Sequence, residues 1–154
     1  MKELKIKGKD LLVAHYVFQT ALERDRAENH LPDKLSYRIG RLLKHLSNDH
    51  QPVKEKQIEL VKRFGEEVME DVPLPKNAPP GTVAEKKGTG NWRVKTEHLE
   101  EYQKEWAIIG DDEITISFEP IPEAIATTPR TKKGEELKNF TTEEYILILD
   151  FIGE

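Results

Sequence analysis

Mostly apolar residues recur at alternating spacings of four and three from Ile39 to Phe64, directly across Pro52. This spacing places them along one face of a helix, the arrangement with which helices pack on one another. We name this series the heptad stripe; it consists of Ile39, Leu43, Leu46, His50, Val53, Gln57, Leu60 and Phe64. The stripe predicts a long second helix over about residues 33–64. It indicates an interaction surface rather than a reaction centre.

Pro52 leaves two interpretations of that helix open. Inside a helix, proline removes the hydrogen bond to the carbonyl of Asn48 and costs about 3 kcal/mol. The unbroken heptad phase favours one kinked or nearly continuous helix. The weak helix formers Ser47, Asn48 and Asp49 favour a break with a new helix starting near Pro52. Gly65, behind two basic residues, is expected to end the helix as its C′ residue.

The N-terminal pattern predicts a strand followed by a helix. Leu4 and Ile6 alternate with lysines over residues 3–7, which is typical of a half-buried strand. Asp10 is expected to cap a first helix over about residues 11–25, whose apolar face begins at Leu11. Together with the long second helix, these elements predict a helical hairpin with a short N-terminal strand over residues 1–65.

Residues 66–81 are rich in proline and are predicted to form a linker. A hairpin is expected over 82–95, and Thr96 is expected to cap a helix over about 97–109 with Trp106 on its apolar face. The alternation of Ile114, Ile116 and Phe118 predicts a strand over 113–119.

The last part of the chain is expected to be irregular and polar over residues 123–140. Thr141 to Glu144 then form a capping-box pattern ahead of an almost wholly apolar helix over 145–152, which must be buried. These predictions define an α+β fold: a helical hairpin, a linker, and a small α+β unit over 82–154 with an antiparallel sheet and two further helices. The parts are expected to fold together as one domain.

Charge is unevenly distributed along the 154 residues. The first 64 carry 14 Lys/Arg against 9 Asp/Glu, whereas residues 65–154 carry 10 against 20. This polarity predicts either an acidic partner for the basic half, such as another copy's acidic half, or two halves whose charges form one solvated surface. The chain has no cysteine, which suits a reducing compartment, and shows neither a signal peptide nor a membrane span. We expect a cytoplasmic protein.

Candidate chemistry is sparse. His45 and Asp49 share a helix face but lack a third metal ligand at a diagnostic spacing, and His15, His30 and His98 form no motif. The glycines at 81–90 lack the lysine and hydroxyl residue of a phosphate-binding loop. No serine lies in a nucleophile elbow. The sequence therefore predicts no catalytic, metal or cofactor site, and no enzymatic activity.

Three groups of residues are candidate contact sites instead. The stripe beyond Pro52 is predicted to be free for a protein partner, with an acidic helical surface as a second contact region. The residues are Val53, Gln57, Leu60 and Phe64 for the stripe, and Glu97, Glu100, Glu101 and Glu105 for the acidic surface. A weaker alternative is a basic stripe that tracks a phosphate backbone, formed by Lys34, Arg38, Arg41 and Lys44.

The order of elements resembles a family of small, uncharacterised tailed-bacteriophage proteins. The similarity lies in KLSYRIGRLLKHL, PVKEKQIELVKRFGEE, YQKEWAIIGDDEITISFEPI and FTTEEYILILDFI. The resemblance implies a phage accessory or virion-assembly role, in the host cytoplasm or in the virion, and carries over no functional residues. Two hypotheses follow: self-association or binding of another protein, and inhibition or modulation of a host or defence enzyme through the acidic surface.

Overall fold

The computed structural model describes residues 1–132 and 134–153 and divides the chain into two compact units. The first comprises Met1–Lys54 and Ile109–Glu154, and the second comprises Glu55–Ile108. The boundaries predicted from the sequence, after residues 65 and 81, differ from these, which lie after residues 54 and 108. The reason is that the first unit is formed by both ends of the chain. Each unit is nearly balanced in charge, with 15 Lys/Arg against 18 Asp/Glu in the first and 9 against 11 in the second.

The first unit is built on two long helices and a two-stranded sheet. Strand β1 (Lys2–Lys7) leads into helix α1 (Gly8–Glu28), and helix α2 runs over Asp33–Phe64, of which the residues up to Lys54 belong to this unit. Strand β4 (Glu113–Phe118) pairs antiparallel with β1, with Leu4 opposite Ile116 and Lys7 opposite Glu113. The predicted strands over 3–7 and 113–119 are thus confirmed. They pair because each presents an apolar face to the same core.

Short elements complete the first unit. They are β5 (Ile121–Pro122), α4 (Glu123–Thr127), β6 (Arg130–Lys132), β7 (Glu135–Leu137), α5 (Thr142–Leu147), a 3-10 turn (Leu149–Phe151) and β8 (Ile152–Gly153). Strands β5 and β8 are parallel, and β6 and β7 are antiparallel. The expectation of irregular structure over 123–140 is therefore wrong, because this segment contains a helical turn and a small hairpin.

The core of the first unit contains one side of each long helix and the inner face of the β1–β4 pair. Phe18 lies at its centre, with its ring edge-on to the rings of Phe140 and Phe151 at centroid distances of 6.3 and 5.7 Å. Leu35, Ile39 and Leu46 of α2 are fully buried in the same cluster. The first half of the heptad stripe therefore packs into the chain's own core, as helix amphipathicity requires.

Helix α2 continues through Pro52 without a break. This confirms the continuous form of the two that the sequence left open. Gly65 does not end the helix as a C′ residue: it is the first residue of strand β2 (Gly65–Asp71), and its φ is not positive. The expectation for Asp10 is also wrong, since α1 begins at Gly8 and Asp10 lies in its first turn, where a carboxylate favours the helix dipole.

The second unit contains a hairpin that the sequence placed incorrectly. Strand β2 pairs antiparallel with β3 (Lys86–Val94), with a register shift between Glu67 and Met69. Residues 65–71 are thus strand rather than linker, and residues 82–85 form no strand. The pairing is supported by ion pairs between the two strands, Glu66–Arg93 at 3.1 Å and Glu70–Lys87 at 3.4 Å. These partners lie far apart in the chain, so no local pattern revealed them.

A 3-10 turn (Thr96–His98) follows β3 and leads into α3 (Leu99–Gly110). The helix predicted over 97–109 is confirmed, although Thr96 does not cap it. The α+β class is confirmed as well, with four two-stranded sheets in the described residues in place of one small antiparallel sheet.

Candidate interaction surfaces

The second half of the heptad stripe is largely covered by the chain itself. Leu60 is fully buried, and Val53, Gln57 and Phe64 are half-buried. Val53 Cγ1 lies 3.2 Å from the point where a β-carbon on Gly8 would sit, so the start of α1 covers it. The ring of Phe64 lies 6.3 Å from that of His98. The prediction that this stretch is free for a partner is therefore wrong for Leu60 and overstated for its neighbours.

The predicted acidic surface lies on the outside of the second unit. Glu97 is in the 3-10 turn, Glu100, Glu101 and Glu105 lie on α3, and all four are exposed. Glu100 forms an i,i+4 ion pair with Lys104 at 3.6 Å, a contact that exposed side chains make with little gain in stability. All four carboxylates are therefore accessible to solvent.

The basic stripe is partly neutralised within the first unit. Arg38 Nη1 and Arg41 Nη2 contact the two oxygens of Glu119, at 2.8 and 3.1 Å. Lys34 and Lys44 are exposed at either side of this pair. Since the two arginines already share a carboxylate, a phosphate backbone would have to compete with Glu119 for them. This observation disfavours the nucleic-acid interpretation.

The histidines are arranged differently from what the sequence indicated. No three potential ligands among histidine, aspartate and glutamate lie close enough to hold a metal ion in the part of the chain that the structure describes. His15, which showed no motif, stacks on His50: the ring centroids are 3.6 Å apart and the rings are 10° from parallel. The two residues lie 35 positions apart on α1 and α2, so only the packing of these helices brings them together.

The environment of the His15–His50 pair favours neutral rings. Burial lowers the pKa of His50 to about 4, assisted by the adjacent His15 and by the ammonium of Lys54. Burial also lowers the pKa of His15, again with a contribution from Lys54. Protonation of either ring would place a second cation in a partly buried site near the ammonium of Lys54. The pair is therefore a neutral packing contact at physiological pH.

The C-terminal segment exposes residues that were predicted to be buried. The capping box forms as expected, with Glu144 N donating to Thr141 Oγ1 and Thr141 N donating to Glu144 Oε1. Helix α5 is only six residues long, however, and the segment then turns through a 3-10 helix, so Ile148 and Phe151 alone of residues 145–152 are fully buried. Ile146, Leu147 and Leu149 are 65, 51 and 53% exposed.

Ile146 and Leu147 border a cleft of about 410 Å³ in the first unit. Its apolar lining includes Val13 of α1, itself exposed, and Ile146 and Leu147 of the C-terminal segment. Both signs of charge surround this lining, with Lys5 and Lys7 from β1 and three carboxylates. The carboxylates are Asp10, Glu113 and Asp150. We name this cleft and its charged border the C-terminal cleft. The sequence did not predict this cleft, because the aliphatic run at 145–152 was expected to be buried.

A second cleft, of about 420 Å³, also has Ile146 in its lining. It is lined in part by Phe140, Tyr145 and Asn139. Asn139 is buried, and its Nδ2 donates to the carbonyls of Ala126 and Thr128 at 2.9 Å each. The amide thereby holds the end of α4 in place. Its Oδ1 has no hydrogen-bond partner among the described residues and is closed off from the cleft surface.

Comparison with known proteins adds no assignment: no protein family, no curated protein and no solved structure matches this chain. Among the described helices, none combines the length and the apolar character needed to cross a membrane.

Proposed function

We propose that the protein acts without catalysis, by associating with a second copy of itself through the C-terminal cleft. The observation that carries this proposal is the exposure of Ile146 and Leu147 beside Val13. Adjacent exposed aliphatic side chains with charged residues around them are typical of protein contact sites. On the surface of a monomer, exposed aliphatic side chains are usually scattered singly.

The charges around the cleft support a second copy as the occupant. In a two-fold dimer the same patch is used by both subunits, so the patch must complement itself. Lysines on β1 and carboxylates on α1, β4 and the C-terminal segment supply both signs on one patch. The patch therefore carries both of the charges that a two-fold contact between copies requires.

Ion pairs within the first unit join the basic half of the sequence, residues 1–64, to the acidic half, residues 65–154. Arg38 with Glu119, Lys9 with Asp111 and Arg24 with Glu144 join basic residues of the first half to acidic residues of the second. Part of the sequence polarity is thus used in ion pairs inside the first unit. Assembly is left to the local patch, and the phage resemblance suggests that such assembly serves an accessory or virion-building role.

Mass measurement by light scattering tests this proposal. We expect a mass above the 17.8 kDa of one chain at high concentration. Ile146→Glu is expected to return the protein to that mass, since it places a charge in the apolar centre. Val83→Glu is the matched control, because Val83 is more exposed than Ile146 and lies in the second unit. A wild-type protein that stays at 17.8 kDa at every concentration would contradict self-association.

A second function is favoured by the acidic surface on the second unit. Three of its four glutamates, Glu97, Glu101 and Glu105, form no ion pair among the described residues and stay available to a cationic groove on a host enzyme. Changing these three to glutamine should abolish capture of a partner that the wild type retains at low salt. Ile146→Glu should leave that capture intact, which separates the two functions.

A further inference from the structure

Strand β1 has one edge without a partner. In the described chain it belongs to a two-stranded sheet with β4, and no backbone hydrogen bond joins its other edge to any element. In an antiparallel pair, alternate residues direct their N–H and C=O groups away from the neighbouring strand. This six-residue edge is therefore able to accept another extended strand.

Two of the charges on β1 lack a partner among the described residues, whereas Lys2 Nζ donates to the carbonyl of Asp150 at 2.8 Å. Glu3 and Lys5 are exposed on the same face of the strand, and their partners on β4 are the uncharged Ser117 and Thr115. Neither charge takes part in a hydrogen bond or an ion pair within the part of the chain that the structure describes. Opposite charges two positions apart on a free edge form a pattern that an inverted copy of the same strand complements.

We propose that two copies of the protein pair through β1, antiparallel, about a two-fold axis at Leu4. The proposal rests on the self-association proposed above and specifies its interface. The register follows from the faces of the strand. Because side chains alternate between faces, Leu4 and Ile6 must stay on the core face in both copies, which allows only registers centred on a residue.

Among the central registers, charge selects one. Centred on Leu4, Glu3 of each copy lies opposite Lys5 of the other, and no like charges face each other. Centring on Lys5 pairs Glu3 with Lys7 but also sets Lys5 against Lys5, and centring on Glu3 sets Glu3 against Glu3. Opposite charges across strands stabilise the pairing and like charges destabilise it.

The resulting dimer has a continuous four-stranded antiparallel sheet in the order β4, β1, β1, β4. Leu4, which packs on the core of its own subunit, meets Leu4 of the second copy on the inner face. The exposed Met1 of the second copy lies opposite Lys7, at the border of the C-terminal cleft. The strand edge and the cleft thus belong to one interface.

A charge swap tests the register. Glu3→Lys and Lys5→Glu each replace two favourable pairs by two like-charge pairs, and each is expected to weaken dimerisation about tenfold in sedimentation equilibrium. The double variant Glu3→Lys with Lys5→Glu restores both pairs in reverse and should recover wild-type affinity within about threefold. Lys44→Glu, at an exposed position of α2, is the control for the change in net charge and should change the dimerisation affinity little. Double-variant affinity no better than that of the single variants would overturn the register.

Cysteine crosslinking tests the position of the two-fold axis. Because the chain has no native cysteine, only the introduced thiols can form a disulfide. Leu4→Cys sets the two thiols directly opposite each other and should give a covalent dimer on mild oxidation. Lys7→Cys sets them six positions apart, about 20 Å, and should stay monomeric on a denaturing gel.

The outcomes separate this interface from self-association in general. Equal crosslinking at both positions indicates random collision and overturns the proposal. A dimer by mass that shows neither the charge-swap pattern nor the Leu4→Cys crosslink overturns the β1 interface and leaves self-association standing. A strict monomer overturns both.

Discussion

His15 and His50 stack face to face at 3.6 Å between ring centroids, the one from α1 and the other from α2. The contact lies on the heptad stripe, at a position where the sequence shows a polar residue in an apolar series. Neutral imidazole fits this position because it offers an aromatic face, as packing between two helices requires. The polar residue in the stripe is therefore a packing residue whose contribution depends on pH.

We predict that acidification weakens the fold through this pair. The folded-state pKa of His50 is lowered to about 4 from 6.5, so the unfolded state binds more protons between these values. The stabilisation is fully present above pH 6.5 and is lost as pH falls towards 4. Because the ring is partly solvated, the loss is expected to be only about 1–2 kcal/mol.

Urea denaturation at pH 7 and pH 5 checks this prediction, since carboxylates change little in that interval. His50→Gln should show a smaller loss of unfolding free energy between the two pH values than the wild type does. His45→Gln, an exposed histidine on the same helix, should keep the wild-type difference. A His50→Gln protein with the full wild-type pH dependence would show that the pair does not carry the effect.

Pro52→Ala is expected to stabilise the protein. Pro52 is exposed inside a continuous helix, where alanine restores the hydrogen bond to Asn48 and has a much higher helix propensity. Part of the gain is offset by the greater freedom of the unfolded chain, which leaves about 1–3 kcal/mol. Ser47→Ala, at an exposed helical position, should gain no more than about 0.5 kcal/mol. Thermal denaturation with equal gains in both variants would refute this account of Pro52.

Leu60→Ala and Ile58→Ala distinguish a buried stripe from an exposed one. Leu60 is fully buried, so its truncation is expected to cost about 2–5 kcal/mol in unfolding free energy. Ile58, two positions away on the same helix, is 43% exposed and should cost less than about 1.5 kcal/mol. Unchanged stability of Leu60→Ala would contradict the burial of this side chain in the chain's own core.

Gly65→Ala and Gly40→Ala are expected to act in opposite directions. A β-carbon at Gly65 would overlap the carbonyl oxygens of Arg93 and Val61, which belong to backbone that cannot easily move. We expect a loss of about 2–4 kcal/mol. Gly40 lies inside α2 with nothing within 4 Å of its β-carbon position, so alanine should gain about 0.5–1 kcal/mol. Guanidinium denaturation measures both, and a stable Gly65→Ala protein would contradict the close approach.

The sequence predicted elements well where their cause is local. The alternation in residues 3–7 and 113–118 predicted two strands, and the heptad phase correctly favoured a continuous α2 over a break at Pro52. The capping box at Thr141 formed as expected because its two hydrogen bonds join residues three apart. Each of these depends on side chains within one or two turns of the chain.

The surfaces were predicted less well, because exposure depends on distant parts of the chain. The run at 145–152 is as apolar as a typical buried helix. A six-residue helix followed by a 3-10 turn nevertheless leaves Ile146, Leu147 and Leu149 exposed. The exposure of the four glutamates on the second unit, by contrast, follows from the sequence, because charged residues are almost never buried without partners.

The amino-acid sequence by itself determined the α+β class, the long helices and the apolar faces of the strands β1 and β4. It did so because hydrophobic periodicity sets which side of each element is buried. Only the tertiary structure decided which elements meet. It stacked His15 on His50, paired Glu66 with Arg93, closed Leu60 from solvent and left one edge of β1 without a partner in the described chain. These contacts join residues far apart in sequence, and the free energy that selects them is a sum over the whole core rather than a property of any segment.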